Sequence, residues 1–325
     1  MKLRSSRNLE HDLRQTFKVQ VYDIINDELI RSFLNHDDRI RNGEILDFSI
    51  LRKFVKFLMS SELNFMENLY IIELENKIIE NSTNFYNKAV QDKINSSENE
   101  FVNYLYWGEN CLQKEEQTLS NFLPDSTIKK IISNLKEIIF YRKCKILLES
   151  SNGLKAQLHI QNLEILKKTY DNFFPDMGCS SIMQQIFKNF TKDELKNLIT
   201  KYESLLNLID GPREVINKTN YVEEFVIFYE NITKIMTNSF SNQNKFHIAF
   251  NEVLEQIQSN KTNFNNSYIL PFYLDKNLKR STNSNTGDAV KVIENVMSIF
   301  SSLTEKDIFI DIHRNLVNFL ITFIA

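Results

Sequence analysis

The chain has 325 residues, with 39 basic and 42 acidic side chains and a formal net charge of -3. That near balance excludes a strongly basic nucleic-acid binder and an acidic disordered tail. The length allows one large domain or two to three medium ones, with enough chain to bury a core unaided by disulfides or metals. Only 6 Gly and 4 Pro punctuate it. Dinucleotide-binding α/β folds, barrels and all-β chains use these residues at phosphate loops and tight turns, so long helices remain. The predicted fold class is all-α.

In chain order, helical periodicity first covers roughly 45–59, 62–94 and 98–123. A clear helix follows Pro124. Asp125, Ser126 or Thr127 can cap it, and Ile128, Ile131, Ile132, Leu135, Ile138 and Ile139 form its apolar face. Its pattern runs toward Leu148 and stops near Asn152-Gly153. Helices are predicted next over 161–174 and 180–190. Leu195, Leu198, Ile199, Tyr202, Leu205, Leu206 and Ile209 then share one helical stripe. Thr191 and Glu194 read as the capping box that starts this helix, and Gly211-Pro212 as its stop. Later helices fall at 219–240, 243–259, 268–279 and 287–303, about eleven in all, with no alternating strand pattern. The linkers are rich in Asn and Ser: Asn95-Ser96-Ser97, Asn260 to Ser267, and Ser281 to Gly287. The final run, Leu316 to Ala325, is apolar except for Asn318 and Thr322. It is about half the ~20 residues needed to span a bilayer, and reads as a core-facing helix whose partner is absent.

Groups that could carry chemistry are sparse. The five histidines, His11, His36, His159, His247 and His313, lie too far apart for a helical metal pair. Cys111, Cys144 and Cys179 are odd in number and widely spaced, which points to buried reduced thiols in an intracellular protein. Glu115-Glu116 is the best paired-carboxylate candidate, but adjacent helical side chains point about 100° apart, so a solvated face is expected. Lys129-Lys130, Arg142-Lys143 and Lys167-Lys168 read as solvated faces. Trp107, the single Trp, could join Tyr104 and Tyr106 in a partner-binding patch, with core or boundary packing the favoured alternative. The start, Met1 to Arg7, is basic without an apolar stretch after it, so no signal peptide is read, and triplets such as Asn81-Ser82-Thr83 and Asn231-Ile232-Thr233 read as chance matches to the glycosylation pattern. No catalytic, cofactor-binding or metal residue is assigned, and no nucleic-acid, membrane or small-molecule partner is expected. The residues alone indicate a binding or scaffold protein.

The order of short motifs is more specific. Phe85-Tyr86 precedes Tyr104-Leu105, then Leu112 with Glu115, then Phe122-Leu123 and Ser126-Thr127. Leu147-Leu148, Asn152-Gly153-Leu154 and Leu166 with Tyr170 follow. Asn238-Ser239-Phe240-Ser241-Asn242, Phe246 to Phe250, and Tyr273-Leu274-Asp275 come next. Val296-Met297-Ser298-Ile299-Phe300 and Glu305-Lys306-Asp307-Ile308-Phe309 close the series. This order resembles the cullin family over roughly residues 41–321. Asn42-Gly43-Glu44 is similar to the turn that begins the family's second repeat. Leu13-Arg14-Gln15-Thr16 is similar to a stretch in cullins that take BTB-domain adaptors.

The resemblance implies an elongated stack of five-helix cullin repeats. On that pattern, residues 1–40 are a remnant of the first repeat, 41–160 the second, 161–305 the third, and 306–325 the start of a truncated C-terminal region. It also implies a non-catalytic scaffold of a ubiquitin ligase, cytoplasmic or nuclear, which positions adaptor-bound substrate and, in the intact protein, binds an adaptor of BTB or Skp type and a RING subunit. The sequence departs from the pattern in several places, and roughly residues 17–40 are longer than the family's spacing there. Asn315 to Ile321 replaces a basic element, and Arg142 stands where the family has a histidine. A truncated product, a degenerate competitor and a genuine short scaffold all fit. A helical-rod tether of vesicle trafficking is the alternative from another class, and an enzyme with an unrecognised helical site is the third.

Overall fold

The computed structural model describes residues 16–59, 70–96, 100–206, 211–258, 265–281, 286–303 and 305–324. Among these residues every regular element is helical, in agreement with the predicted class. The chain divides between Cys144 and Lys145 into two compact units.

The first unit opens on a π-helical turn at Lys18–Tyr22 that runs into α1 (Asp23–Arg41), followed by α2 (Phe48–Met59). A second π turn, Tyr70–Glu75, leads into α3 (Asn76–Asn95), and α4 (Phe101–Leu119) and α5 (Asp125–Ile139) complete it. Helix α5 packs on both α3 and α4. Its predicted apolar face is the core: Ile128, Ile131, Leu135, Ile138 and Ile139 are buried, while Ile132 is half-buried. Phe33 of α1 joins the rings of Phe54 in α2, at 5.8 Å, and Phe122, at 5.9 Å, and so ties the first two helices to the turn before α5.

A 3-10 turn at Tyr141–Lys143 precedes α6 (Cys144–Leu148). The second unit then runs through α7 (Leu154–Ile160), α8 (Leu163–Phe173), α9 (Met177–Leu206), α10 (Pro212–Lys218) and α11 (Tyr221–Lys234). A π turn, Ile235–Ser239, α12 (Asn244–Gln258), α13 (Asn266–Ser281), α14 (Thr286–Ser301) and α15 (Lys306–Ile324) follow. Its centre is aromatic. Phe240 stacks on Phe246 at 4.4 Å, and Phe187 of α9 meets the Phe246 ring edge-on at 5.3 Å.

Several expectations need correction. The stretches 180–190 and 191–209 are parts of one helix, α9, whose 30 residues pass through Thr191 without interruption. Thr191 is buried, and its hydroxyl donates to the Lys188 carbonyl at 3.0 Å, one turn back. A hydroxyl satisfied within its own helix carries the sequence signature of a cap without ending anything. Gly211-Pro212 begins α10, with Pro212 in the first turn, where its missing N–H costs nothing. Residues 207–210, and with them Ile209 of the predicted stripe, lie outside the described residues.

Helix α5 has no side-chain cap: Pro124 occupies the cap position, and Asp125, Ser126 and Thr127 lie inside the first turn. The pattern predicted to run on toward Leu148 breaks at Phe140 into the 3-10 turn. Helices α1, α7 and α10 were not anticipated. Finally, the terminal helix α15 has a partner: it packs on α13, and Leu316 is buried.

Candidate functional site

In the first unit the motif residues converge on a buried charge cluster. Helix α1 ends in a turn in which Gly43 takes a φ of 94° and the Glu44 N–H donates to the Arg39 carbonyl. Asn42-Gly43-Glu44 is therefore a helix stop that needs a left-handed residue. Immediately before that stop, the guanidinium of Arg41, the last residue of α1, lies inside the protein. Its Nε donates to Glu115 Oε1 at 3.0 Å and its Nη2 to Ser82 Oγ at 2.7 Å. Its Nη1 lies 2.7 Å from Asp37 Oδ2. The Tyr86 hydroxyl donates to the other Glu115 oxygen at 2.9 Å. Thus Phe85-Tyr86 from α3 and Glu115 from α4 meet around one cation from α1.

Burial opposes the charge on Arg41, yet Asp37 and Glu115 beside it hold its pKa above the usual value. Burial, with Glu115 adjacent, also pushes the Tyr86 phenol well up. Glu115 is thus not on a solvated face, as its pairing with Glu116 had suggested; only Glu116 is exposed. Sequence reasoning missed Asp37 and Arg41 altogether. The available signal was their four-residue spacing, which reads as an ion pair only once a helix is assigned there.

A second buried cluster binds α5 to the π turn before α3. Glu75 accepts from Thr127 Oγ1 at 2.7 Å and pairs with Lys130 at 2.8 Å, while the Tyr70 hydroxyl donates to Thr127 at 2.9 Å. Lys130 is therefore an ion-pair partner as well as a surface residue. Tyr104 is fully buried and donates to the Ile139 carbonyl at 2.7 Å; Trp107, half-buried, packs against it at 5.3 Å. Of the proposed aromatic patch only Tyr106 is exposed.

In the second unit the motifs are packing joints. A Cβ on Gly153 would lie 2.6 Å from both the Leu147 and Leu148 carbonyl oxygens, so the chain can fold back there only on glycine. Ser239 Oγ donates to the Leu163 carbonyl at 2.9 Å and joins the Asn238 to Asn242 motif to the start of α8. Phe300 and Phe309, from the last two motifs, pack at 5.0 Å.

Two surface features among the described residues stand out. Phe17, Val21, Ile24 and Ile25, at i, i+4, i+7 and i+8, are exposed along α1 and its π turn, with Ile24 73% exposed. In the second unit a cleft of about 530 Å³ is lined by Pro212, Arg213, Phe272, Ile312 and Leu316, and Arg213 lies over the Phe272 ring at 5.4 Å. None of the three cysteines forms a disulfide; Cys144 and Cys179 are buried and Cys111 is half-buried, its thiol pushed up to about 11 by burial and by Glu115. Among the described residues no group of His, Cys, Asp or Glu could hold a metal ion. His36, His247 and His313 are half-buried and His159 is exposed, while His11 lies outside the described residues. Among the described residues no helix is long and apolar enough to cross a membrane.

These features define a class: all-α bundles whose short sequence motifs are packing joints between helices, with an apolar stripe on one helix. The family model of the cullin α-solenoid domain matches residues 5–317, so the chain belongs to the cullin family. It is 23% identical to Cullin-3A of Arabidopsis thaliana over 291 residues, which cover 88% of this chain and 37% of that protein. It is 20% identical to Cullin-3 of Dictyostelium discoideum over 287 residues, 88% of this chain and 35% of that protein. It is 21% identical to Cell division control protein 53 of Saccharomyces cerevisiae over 331 residues, 93% of this chain and 40% of that protein. The chain thus spans well under half the length of these relatives.

Proposed function

We propose that this chain is a scaffold segment of a cullin-type ubiquitin ligase, present in cytoplasm or nucleus, which holds adaptor-bound substrate and performs no bond-making itself. The observation that carries this reading is the cullin α-solenoid match over residues 5–317, nearly the whole chain. A scaffold of this kind contributes by proximity: it holds two partners at a set separation and so raises their effective concentration. Its partners are an adaptor and, in the intact protein, a RING subunit. A BTB-type adaptor is the first to test, because Cullin-3 proteins are among the relatives matched and Leu13 to Thr16 resembles the corresponding stretch.

The apolar stripe Phe17, Val21 and Ile24, along the π turn and the start of α1, is the surface assigned to the adaptor. It lies within the segment read as the remnant of the first repeat, the part that grips adaptors in the family. An exposed apolar stripe on one helix is also what a partner helix or groove covers. The test is affinity capture of the full-length gene product. Recovery of a BTB- or Skp-type adaptor or a RING subunit supports the reading, and recovery of membrane-tethering subunits instead overturns it in favour of the trafficking tether.

A further inference from the structure

Three ionisable side chains meet in the interior between α1, α3 and α4, and their charges do not cancel. Asp37, Arg41 and Glu115 have side chains 0%, 2% and 3% exposed. Two carboxylates against one guanidinium leave one negative charge in excess if all are ionised. Glu115 has the better contacts, accepting from Arg41 and Tyr86. Asp37 has a single close contact, Arg41 Nη1 at 2.7 Å from Oδ2, and its Oδ1 is buried with no hydrogen-bond partner. A buried carboxylate so poorly solvated is more stable neutral than charged.

We propose that this junction is a proton-controlled latch: Asp37 carries a proton while α1 is seated on α3 and α4, and losing that proton loosens the seat. The groups facing Asp37 are Arg41 and Asp38 from its own helix and Glu115 from α4, which in turn accepts from Tyr86 of α3. Burial raises Asp37 to about 7, against the pull of Arg41 and with Glu115 and Asp38 adding to the rise. The folded value lies above the unfolded one, 3.8. The contribution of Asp37 to stability is therefore fully present below about pH 4, falls as pH rises through the folded value, and is constant beyond it. Because α1 also carries the exposed apolar stripe, the latch links pH to how firmly that stripe is held; the latch itself does not depend on what the stripe binds.

Trp107 is the single tryptophan and lies on α4, so its fluorescence reports unfolding of the first unit. In urea titrations of the full chain from pH 5 to 9, the ratio of the wild-type unfolding constant to that of Asp37→Asn is expected to rise. The rise is about tenfold per pH unit between about pH 5 and 7, and it levels off above. His36 is next in sequence, so His36→Gln serves as the control and is expected to keep the wild-type slope. Carbon-13 NMR of the Asp37 carboxyl in the wild-type chain, which needs no substitution, is expected to show a midpoint near neutrality. A flat ratio, a slope that disappears in His36→Gln, or a carboxyl midpoint at or below about 4 overturns the proposal.

Discussion

Arg41 shows how much one side chain can hold in place. Its Nε and two Nη nitrogens reach Glu115, Ser82, Asp37 and, at 3.3 Å, Asp38, so it joins α1 to α3 and α4. Arg41→Ala would leave Asp37 and Glu115 buried without a cation. The expected loss is about 3–5 kcal/mol of stability in the first unit, seen as an earlier Trp107 transition in denaturant. Gly153 acts through space instead of charge. Gly153→Ala places a methyl 2.6 Å from two backbone oxygens that have no free rotor with which to move away. A loss of about 2 kcal/mol or more is expected in the second unit, checked by denaturation followed by circular dichroism.

At the scale of elements, α9 separates a sequence signal from its structural meaning. A helix beginning at Thr191 would accept proline at the next position with little cost. In the continuous helix, Lys192→Pro removes an interior hydrogen bond and drives its ring into the preceding turn, at a cost of about 3 kcal/mol or more. A measured change below about 1 kcal/mol would restore the two-helix description. Most other elements were legible. The apolar stripe of α5, the helices at 101–119 and 221–234, and the all-helical class follow from spacing and from the rarity of Gly and Pro. Helix α1 was not legible, because its buried face mixes Ile30, Phe33 and Ile40 with Asp37 while Ile24 and Ile25 face outward. Periodicity methods assume apolar residues inside and polar residues outside, and α1 breaks the first rule at Ile24 and Ile25 and the second at Asp37.

For the molecule as a whole, the proposed role makes two demands on the chain. Ile24→Asp is expected to abolish adaptor capture and to leave the Trp107 unfolding transition nearly unchanged, because Ile24 is exposed and packs on nothing in the core. Adaptor capture that survives the substitution would exclude this stripe as the contact. The 325-residue segment by itself is expected not to support ubiquitin transfer in a reconstituted reaction, since no RING-binding element is assigned within it; robust transfer would overturn the scaffold reading of this segment.

The sequence by itself determined the helical class, most helix positions and the family, because these depend on local spacing and on motif order along the chain. Only the tertiary structure decided that Glu115 is buried, that Arg41 and Asp37 are its neighbours, and that the apolar stripe of α1 faces outward. The physical reason is that a charged side chain can be placed inside only by a partner distant in sequence, here Arg41 and Glu115, 74 positions apart. No local pattern records that separation; only the packing of α1 against α4 closes it.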